Sequence, residues 1–198
     1  MQRYGITGVF NEREHGKTTY MIKHVVSEVN SAINYDEAYV NIHVGPKVKK
    51  NEEGRDIHYG HPKIHFINYA EMMELNIPTR NGIPRALLAL DQIPNYFDAR
   101  ASNTKLNIQF SKFIRESRQH GVDLIYTTWM RSEVDKRLRP FTNLIISAYS
   151  TPGGFVYKPV ERETGRTLPT LRIPWTMAKA VWRYFDSTEL INDPTIPK

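Results

Sequence analysis

The chain has 198 residues, of which 40% are hydrophobic and 24% are charged, and it contains no cysteine. This length fits one domain, residues 1–198, that can bury its own core, and the lack of cysteine excludes disulfides, iron–sulfur clusters, thiolate metal sites and thiol nucleophiles. The formal net charge of +6 favours polyanionic partners, although it also serves solubility. No run approaches the about 20 apolar residues of a membrane span, and no apolar signal region follows the start. We therefore expect a soluble intracellular protein without a transmembrane segment.

The hydrophobic pattern predicts strands that alternate with helices along the chain. In the first half we expect strands at 4–10, 38–44, 63–67 and 85–91, helices at 17–33 and 69–75, and a polar loop at 45–62. In the second half we expect a helix at 105–120, strands at 122–127 and 144–147, a β-hairpin at 154–173 and a final helix at 176–183. Such alternation is typical of an α/β fold with a mostly parallel sheet that helices cover on both faces.

Three segments carry the clearest local patterns. Residues 86–90 read ALLAL, a continuous apolar run that suits a central strand buried on both faces. Gly121 stands after the helix at 105–120, where a left-handed C-terminal cap belongs. The helix at 17–33 has one apolar stripe, which consists of Met21, Ile22, Val25, Val26, Val29 and Ile33.

A phosphate-binding signature follows the first strand and opens the first helix. It reads Gly16, Lys17, Thr18, Thr19, the ending of the pattern G-x-x-x-x-G-K-[ST]. In that pattern, backbone N–H groups at the helix N-terminus surround the phosphates, the lysine adds a compact positive charge and the first threonine can hold Mg²⁺. The alternative is a helix N-terminus that carries these residues by coincidence.

The match to this pattern is incomplete. Asn11 occupies the position of the first glycine, and asparagine accepts a left-handed backbone, so the turn could survive. The loop interior includes Glu12, Glu14 and His15, which is unusually charged for a site that would hold a triphosphate.

An acidic residue ends the buried strand at 86–90. Asp91 fits the carboxylate that P-loop NTPases use to hold Mg²⁺, although an acid at this point could also cap the turn that follows. Gln92 comes next, where translocating ATPases usually have a catalytic glutamate. An amide can orient a water molecule but cannot take up its proton. Either hydrolysis is slow, or Glu12, Glu14 or Asp98 assists, or the protein binds nucleotide without efficient turnover.

The helix at 105–120 and the following strand add two further candidates. Arg118 could reach the γ-phosphate in a neighbouring subunit as an arginine finger, or it could belong to a solvated helix end that suits the helix dipole. Thr127 and Thr128 stand at the C-terminal end of the strand, which is the ligand-facing edge of such sheets. Either threonine could sense the γ-phosphate or cap the strand.

Taken together, these segments resemble the FtsK/HerA superfamily of P-loop ATPases, with viral genome-packaging ATPases and the Zot-like proteins of filamentous phage as the most similar members. The segments that carry the resemblance are GKTT at 16–19, LLALDQ at 87–92, RQHGVDLIYTT at 118–128, RSEVDKRLR at 131–139 with FTNLI at 141–145, and YFDSTE at 184–189. They cover most of the chain between about residues 3 and 190. Asn11, Gln92 and Trp129 depart from the family pattern.

The resemblance implies a RecA-like (ASCE) three-layer sandwich with a C-terminal β-hairpin and helix, and it implies ATP and Mg²⁺ as cofactors. Lys17, Asp91, Gln92 and Arg118 would be catalytic, and Thr18 with Asp91 would hold the metal. The residues that would bind nucleotide are Asn11, Glu14, His15, Gly16, Lys17, Thr18, Thr19 and Thr128.

The resemblance also implies a homo-oligomer, a hexameric ring with double-stranded DNA in its channel, in the host cytoplasm or at a packaging vertex beside a capsid or membrane protein. Clusters of Lys and Arg at 47–55 and 131–139 suit sequence-independent binding to DNA phosphates, although each could be a solvated charged face. The first functional hypothesis is a DNA-packaging motor. The alternatives are a Zot-like phage assembly ATPase, a hydrolysis-impaired nucleotide- and DNA-binding assembly protein, and a small nucleotide kinase.

Overall fold

The computed structural model describes residues 5–11, 16–45, 47–50, 56–58, 60–77, 79, 81–95, 104–117, 119–134 and 136–185. The strands are β1 (Ile6–Phe10), β2 (Glu37–Val40), β3 (Lys47–Lys50), β4 (Asp56–His58), β5 (Ile64–Phe66), β6 (Ala86–Leu90), β7 (Val122–Thr128), β8 (Leu144–Thr151), β9 (Gly154–Glu161) and β10 (Leu171–Pro174). The helices are α1 (Lys17–Ser31), α2 (Tyr69–Glu74), α3 (Lys105–Glu116) and α4 (Trp175–Val181). Across these ranges, no helix is long and apolar enough to cross a membrane.

Eight of the strands form one sheet in the order β10-β9-β8-β1-β7-β6-β2-β5. The strands from β8 to β5 along this order are parallel, and β9 and β10 extend the sheet as antiparallel neighbours. Strand β7 lies between β1 and β6, so the ends of these three strands meet at one edge of the sheet. The predicted α/β class with a mostly parallel sheet and a C-terminal hairpin is confirmed.

Two apolar clusters cover the two faces of this sheet. The face covered by α1 and α4 includes Val25 and Val29, and strand β6 contributes Leu87 and Ala89 to it. The opposite face buries the apolar sides of α2 and α3, and the alternate residues Ala86, Leu88 and Leu90 of β6 point there. Because both faces of a central parallel strand are buried, its sequence is apolar at every position. This is the three-layer arrangement that the sequence predicts.

The first helix is shorter than its predicted range. It ends at Ser31, and Ala32 adopts a left-handed conformation with φ of 51°. The guanidinium of Arg85 donates hydrogen bonds to the carbonyl groups of Ile33 and Asn34 at 3.0 and 3.1 Å. Arg85 directly precedes β6, so this side chain satisfies carbonyl groups that follow the helix. Ile33 is 73% exposed, and its predicted place in the buried stripe is wrong.

The region between β2 and β5 also differs from the prediction. Strands β3 and β4 pair in antiparallel fashion as a separate two-stranded sheet, within the segment predicted to be a polar loop. A high density of charged residues lowered the strand signal there, because lysine is depleted in strands on average. We call this element the basic hairpin.

Gly121 connects α3 to β7 in the conformation that the sequence predicts. Its φ is +74°, and a Cβ atom at this position would lie 1.9 Å from the carbonyl oxygen of Ile77. The backbone of Ile77 in turn donates to the carbonyl of His120 at 2.9 Å. Both the left-handed backbone and the close approach of a second chain segment require glycine.

Replacing Gly121 with alanine should destabilise the protein by clearly more than about 2 kcal/mol, since the left-handed backbone alone costs about 1–2 kcal/mol and the clash adds to it. Gly165 is a matched control because its φ is +68° and a Cβ there would meet nothing within 4 Å. Urea denaturation of the two alanine variants measures the difference. Equal losses of stability would show that the contact with Ile77 adds no constraint.

Candidate nucleotide-binding site

Polar side chains converge at the edge where β1, β7 and β6 end and α1 begins. Asn11 follows β1, Lys17 and Thr18 open α1, Asp91 follows β6 and Thr127 lies near the end of β7. Parallel strands place their carboxyl ends at a common edge, so residues far apart in sequence meet there. The sequence prediction that these residues form one site depends on this topology.

Gly16 precedes α1 in a left-handed conformation with φ of 75°. Its carbonyl accepts hydrogen bonds from the backbone N–H of Tyr20 and from the hydroxyl of Tyr157, both at 2.9 Å. A Cβ atom at Gly16 would lie 2.6 Å from the ring of Phe155. The aromatic residues of β9 therefore support the end of the phosphate-binding loop and leave space for glycine alone.

Lys17 is 8% exposed although it carries an ammonium group. Its Nζ donates to the backbone carbonyl of Asn11 at 2.9 Å. Burial lowers the pKa of Lys17, and the nearby charges of Asp91 and Glu133 oppose this effect. A partly desolvated cation at the mouth of a helix N-terminus is a strong point of attraction for a polyanion.

Asn11 does not compensate for the missing glycine in the expected way. Among the described non-glycine residues, positive φ occurs at Ala32, Asn81 and Gln92 and not at Asn11. The side-chain amide of Asn11 instead donates to the carbonyl of Ala148 in β8. The residue thus links two neighbouring strands and presents its own carbonyl to Lys17.

Asp91 is the buried acid of the site, with 6% of its surface exposed. Its Oδ1 accepts hydrogen bonds from the hydroxyl groups of Thr18 at 2.9 Å and Thr127 at 2.5 Å. Burial raises the pKa of Asp91, and the two hydroxyl groups and the charge of Lys17 act in the opposite direction. The carboxylate is held in place without a direct ion pair among the described contacts.

Asn41, which follows β2, fixes the backbone of Asp91. Its side-chain amide donates to the carbonyl of Asp91 at 2.9 Å, and its side-chain oxygen accepts from the N–H of Asp91 at 2.7 Å. The N–H of Gln92 donates to the hydroxyl of Thr127 at 2.9 Å. Gln92 itself has a φ of 52° and an exposed side chain.

The chemistry of these groups fits a magnesium ion. A threonine hydroxyl and a carboxylate lie within hydrogen-bond distance of each other, and Mg²⁺ prefers such oxygen ligands. Within the described ranges, no group of three or more His, Asp or Glu residues could hold a metal without further ligands. A Mg²⁺ ion in such sites usually keeps several waters and takes further ligands from bound phosphates.

The other predicted site residues fall into two groups, those outside the described residues and those with contacts of their own. Glu14, His15 and Arg118 fall outside the described residues. Thr19 is 3% exposed, and its Oγ1 accepts a hydrogen bond from the indole of Trp182 at 2.8 Å, so the side chain contacts α4. Thr128 donates towards the carbonyl of Met130 and the carboxylate of Glu133, both at 3.3 Å.

Four residues in or beside the site were missed from the sequence. Asn41 follows a strand in the same way as Asp91, and this position is the signal that could have identified it. Tyr157 and Trp182 belong to the segment that follows the last parallel strand, and no local motif marks them. Glu133 is one of two acids in the basic stretch at 131–139, and no local pattern marks it.

Comparison with known proteins supports the architecture. No protein-family model matches the sequence, and no curated protein matches it either. Among solved structures, the N-terminal domain of zonular occludens toxin from Neisseria meningitidis is similar with a TM-score of 0.56 and 14% identity, over 93% of this chain and 100% of that chain. The DNA-packaging ATPase B204 from Sulfolobus turreted icosahedral virus is similar with a TM-score of 0.56 and 14% identity, over 88% and 99%.

A further structure shares the same architecture. The genome-packaging NTPase B204 from Sulfolobus turreted icosahedral virus 2, in complex with ATPγS, is similar with a TM-score of 0.56 and 12% identity, over 88% of this chain and 99% of that chain. The chain therefore has the P-loop NTPase fold, and the resemblance to packaging and Zot-like proteins noted from its motifs is matched by its structural neighbours.

Replacing Asn41 with alanine should cost about 2–3 kcal/mol, because it leaves the buried N–H and carbonyl of Asp91 without their partners. Asn34 is a matched control, since its amide makes one half-buried hydrogen bond to Glu28 at 2.7 Å, and its loss should cost about 1 kcal/mol. Urea denaturation measures both effects. If the loss of stability at Asn41 is no larger than that at Asn34, the side chain of Asn41 does not fix the backbone of Asp91 as we describe.

Proposed function

We propose that this protein hydrolyses ATP with Mg²⁺. The observation that carries the proposal is the convergence of the Lys17 ammonium with the hydrogen-bonded pair of Thr18 and Asp91 at one edge of a P-loop NTPase fold. The cation would neutralise the phosphates at the N-terminus of α1, and the hydroxyl and carboxylate would hold the metal. Bound Mg²⁺ would supply charge neutralisation to the phosphates of ATP.

The residues around Asp91 keep this arrangement ready for the ligand. Asn41 fixes the backbone of Asp91, and Thr127 fixes its carboxylate while also binding the N–H of Gln92. Preorganised groups in a site of low dielectric stabilise developing charge without reorganisation at the moment of reaction. Thr18 and Asp91, which a hydrogen bond joins in this structure, are the two residues that would hold the metal.

We further propose that ATP hydrolysis drives translocation of double-stranded DNA, as in packaging of a viral genome. The supporting observations are the fold shared with the DNA-packaging ATPase B204 and the net charge of +6. In this proposal the chain forms a hexameric ring with nucleotide at the subunit boundaries, and Arg118 reaches the γ-phosphate of a neighbouring subunit. The motor would work in the host cytoplasm or at the packaging vertex.

The basic hairpin is our candidate for the DNA contact. Strand β3 contains Lys47, Lys49 and Lys50, and its two-stranded sheet is separate from the central sheet. A sheet that adds no strand to the core is available for another role, and three lysines in one short strand suit a polyphosphate backbone. Such contacts neutralise phosphates and carry no base information, which fits a motor that must move any sequence.

Replacing Lys17 with alanine should lower the rate of Mg²⁺-dependent ATP hydrolysis by at least about 100-fold, in line with the loss of one charge-stabilising group. The rate is measured with and without double-stranded DNA, and we expect DNA to stimulate the wild type. Lys112→Ala, at an exposed position of α3, is the matched control and should retain the wild-type rate. Tight ATP binding with wild-type turnover no faster than that of Lys17→Ala would favour the hydrolysis-impaired assembly protein.

Replacing the three lysines of β3 with alanine should weaken binding to double-stranded DNA equally for unrelated sequences. The slope of log affinity against log salt should fall by about 2.7, because each lost phosphate contact removes about 0.9. Replacement of Lys105, Lys112 and Lys179, which are exposed on α3 and α4, changes net charge by the same amount and serves as the control. Equal effects of the two triple variants would assign DNA binding to overall charge instead of the hairpin.

A further inference from the structure

Glu133 is a carboxylate outside the sequence-predicted site, and it lies beside the end of β7. Glu133 ends a short 3-10 turn, Arg131–Glu133, that follows this strand. Its Oε2 accepts hydrogen bonds from the backbone N–H of Met130 at 3.2 Å and from the hydroxyl of Thr128 at 3.3 Å. Both of these contacts use the same oxygen, so in the described part of the chain Oε1 keeps its acceptor capacity for another donor.

The turn that carries Glu133 is fixed on both sides. Arg139 donates to the carbonyl of Ser132 at 2.8 Å and to the carbonyl of Val134 at 2.7 Å, which are the residues before and after Glu133. The side chain of Val134 is fully buried. The arginine at 139 thus holds this turn, and the position of the glutamate is determined by packing and by four hydrogen bonds.

Glu133 is also electrostatically connected to the phosphate site. Its negative charge acts on the ammonium of Lys17, the group that would contact the phosphates. Strand β7, which leads into the turn, lies between the strands that end at Asn11 and Asp91. The carboxylate therefore belongs to the same edge of the sheet as the candidate metal ligands, although it contacts neither of them in any described hydrogen bond.

The residue after the metal-binding acid cannot supply a base. Gln92 carries a neutral amide, which can donate to and accept from a water molecule but cannot take its proton at neutral pH. Its exposed side chain also makes no hydrogen bond within the described ranges. A proton acceptor at this edge would have to come from another element. The other candidates, Glu12, Glu14 and Asp98, fall outside the described residues, whereas Glu133 is a described carboxylate held at that edge.

We propose that Glu133 is the general base of the hydrolysis, with Gln92 in the supporting role of orienting the attacking water. This inference rests on the proposed ATPase function. In the step, a lone pair of the water oxygen forms the bond to the γ-phosphorus, and the bond between that phosphorus and the β–γ bridging oxygen breaks. The leaving ADP keeps the electron pair, one proton of the water passes to Oε1 of Glu133, and the carboxyl group later returns this proton to solvent.

The variant Glu133→Gln tests this role directly. The amide oxygen of glutamine can accept the same hydrogen bonds from Met130 and Thr128, so the turn keeps its contacts while the proton acceptor is lost. We expect the turnover number to fall by about 100-fold or more, the range that general-base catalysis contributes. Binding of a fluorescent ATP analogue with Mg²⁺ should be no weaker than in the wild type, because the variant removes a negative charge near Lys17, and the midpoint of urea unfolding should stay at its wild-type value.

Two comparison variants separate the possible outcomes. Gln92→Ala should lose less than about tenfold in turnover, and Lys17→Ala defines the background. Wild-type turnover in Glu133→Gln, with loss in Lys17→Ala, would overturn the role of Glu133 and leave the ATPase proposal intact. Parallel loss of unfolding stability, nucleotide binding and turnover in Glu133→Gln would assign the residue a structural role and also overturn the proposal. A wild type no faster than Lys17→Ala would overturn the ATPase function itself.

Discussion

The burial of one carboxylate is the constraint on which this site depends. Asp91 is almost removed from solvent, and burial raises its pKa, so its charged form must be supported by its neighbours. Hydroxyl groups from α1 and β7 donate to the carboxylate, and the side chain of Asn41 at the end of β2 binds the backbone of the same residue, so the support comes from three different elements. A change in the register of any one of these elements would remove part of this support. The order and register of the strands therefore determine whether the groups of the site can contact one another.

Much of this organisation could be predicted from local sequence. The apolar run of β6, the GKTT turn before α1 and the left-handed Gly121 are short-range signals, because each depends on residues that are neighbours in the chain. The strands of the basic hairpin were not predicted, because lysine is depleted in strands and its density in β3 weakens the strand signal. Asn41 reaches Asp91 through hydrogen bonds between residues 50 positions apart. Glu133 makes only local hydrogen bonds, to Thr128 and Met130, and the strand order alone places its turn beside the site. No local pattern in a single sequence shows which strand ends will become neighbours in the sheet.

The hydrogen-bond network at the sheet edge also distinguishes the two threonines of β7, which the sequence treats as equivalent. Successive residues of a strand face opposite sides of the sheet. Thr127 contacts Asp91 on the side of α1, whereas Thr128 contacts the turn that carries Glu133. One strand end thus connects Asp91 with the turn that carries Glu133. If both proposals hold, metal binding and water activation would be coupled through adjacent peptide units.

The support of the phosphate-binding loop by Phe155 and Tyr157 has a consequence for how the protein is made. The hydrogen bond from Tyr157 to Gly16 spans 141 residues. Because a ribosome synthesises the chain from its N-terminus, the loop leaves the ribosome long before the strands that brace it. Contacts of such high sequence separation form slowly, since the entropy of closing the intervening chain must be overcome first. The nascent protein would therefore complete the surroundings of Gly16 only late in folding, after β9 has joined the sheet.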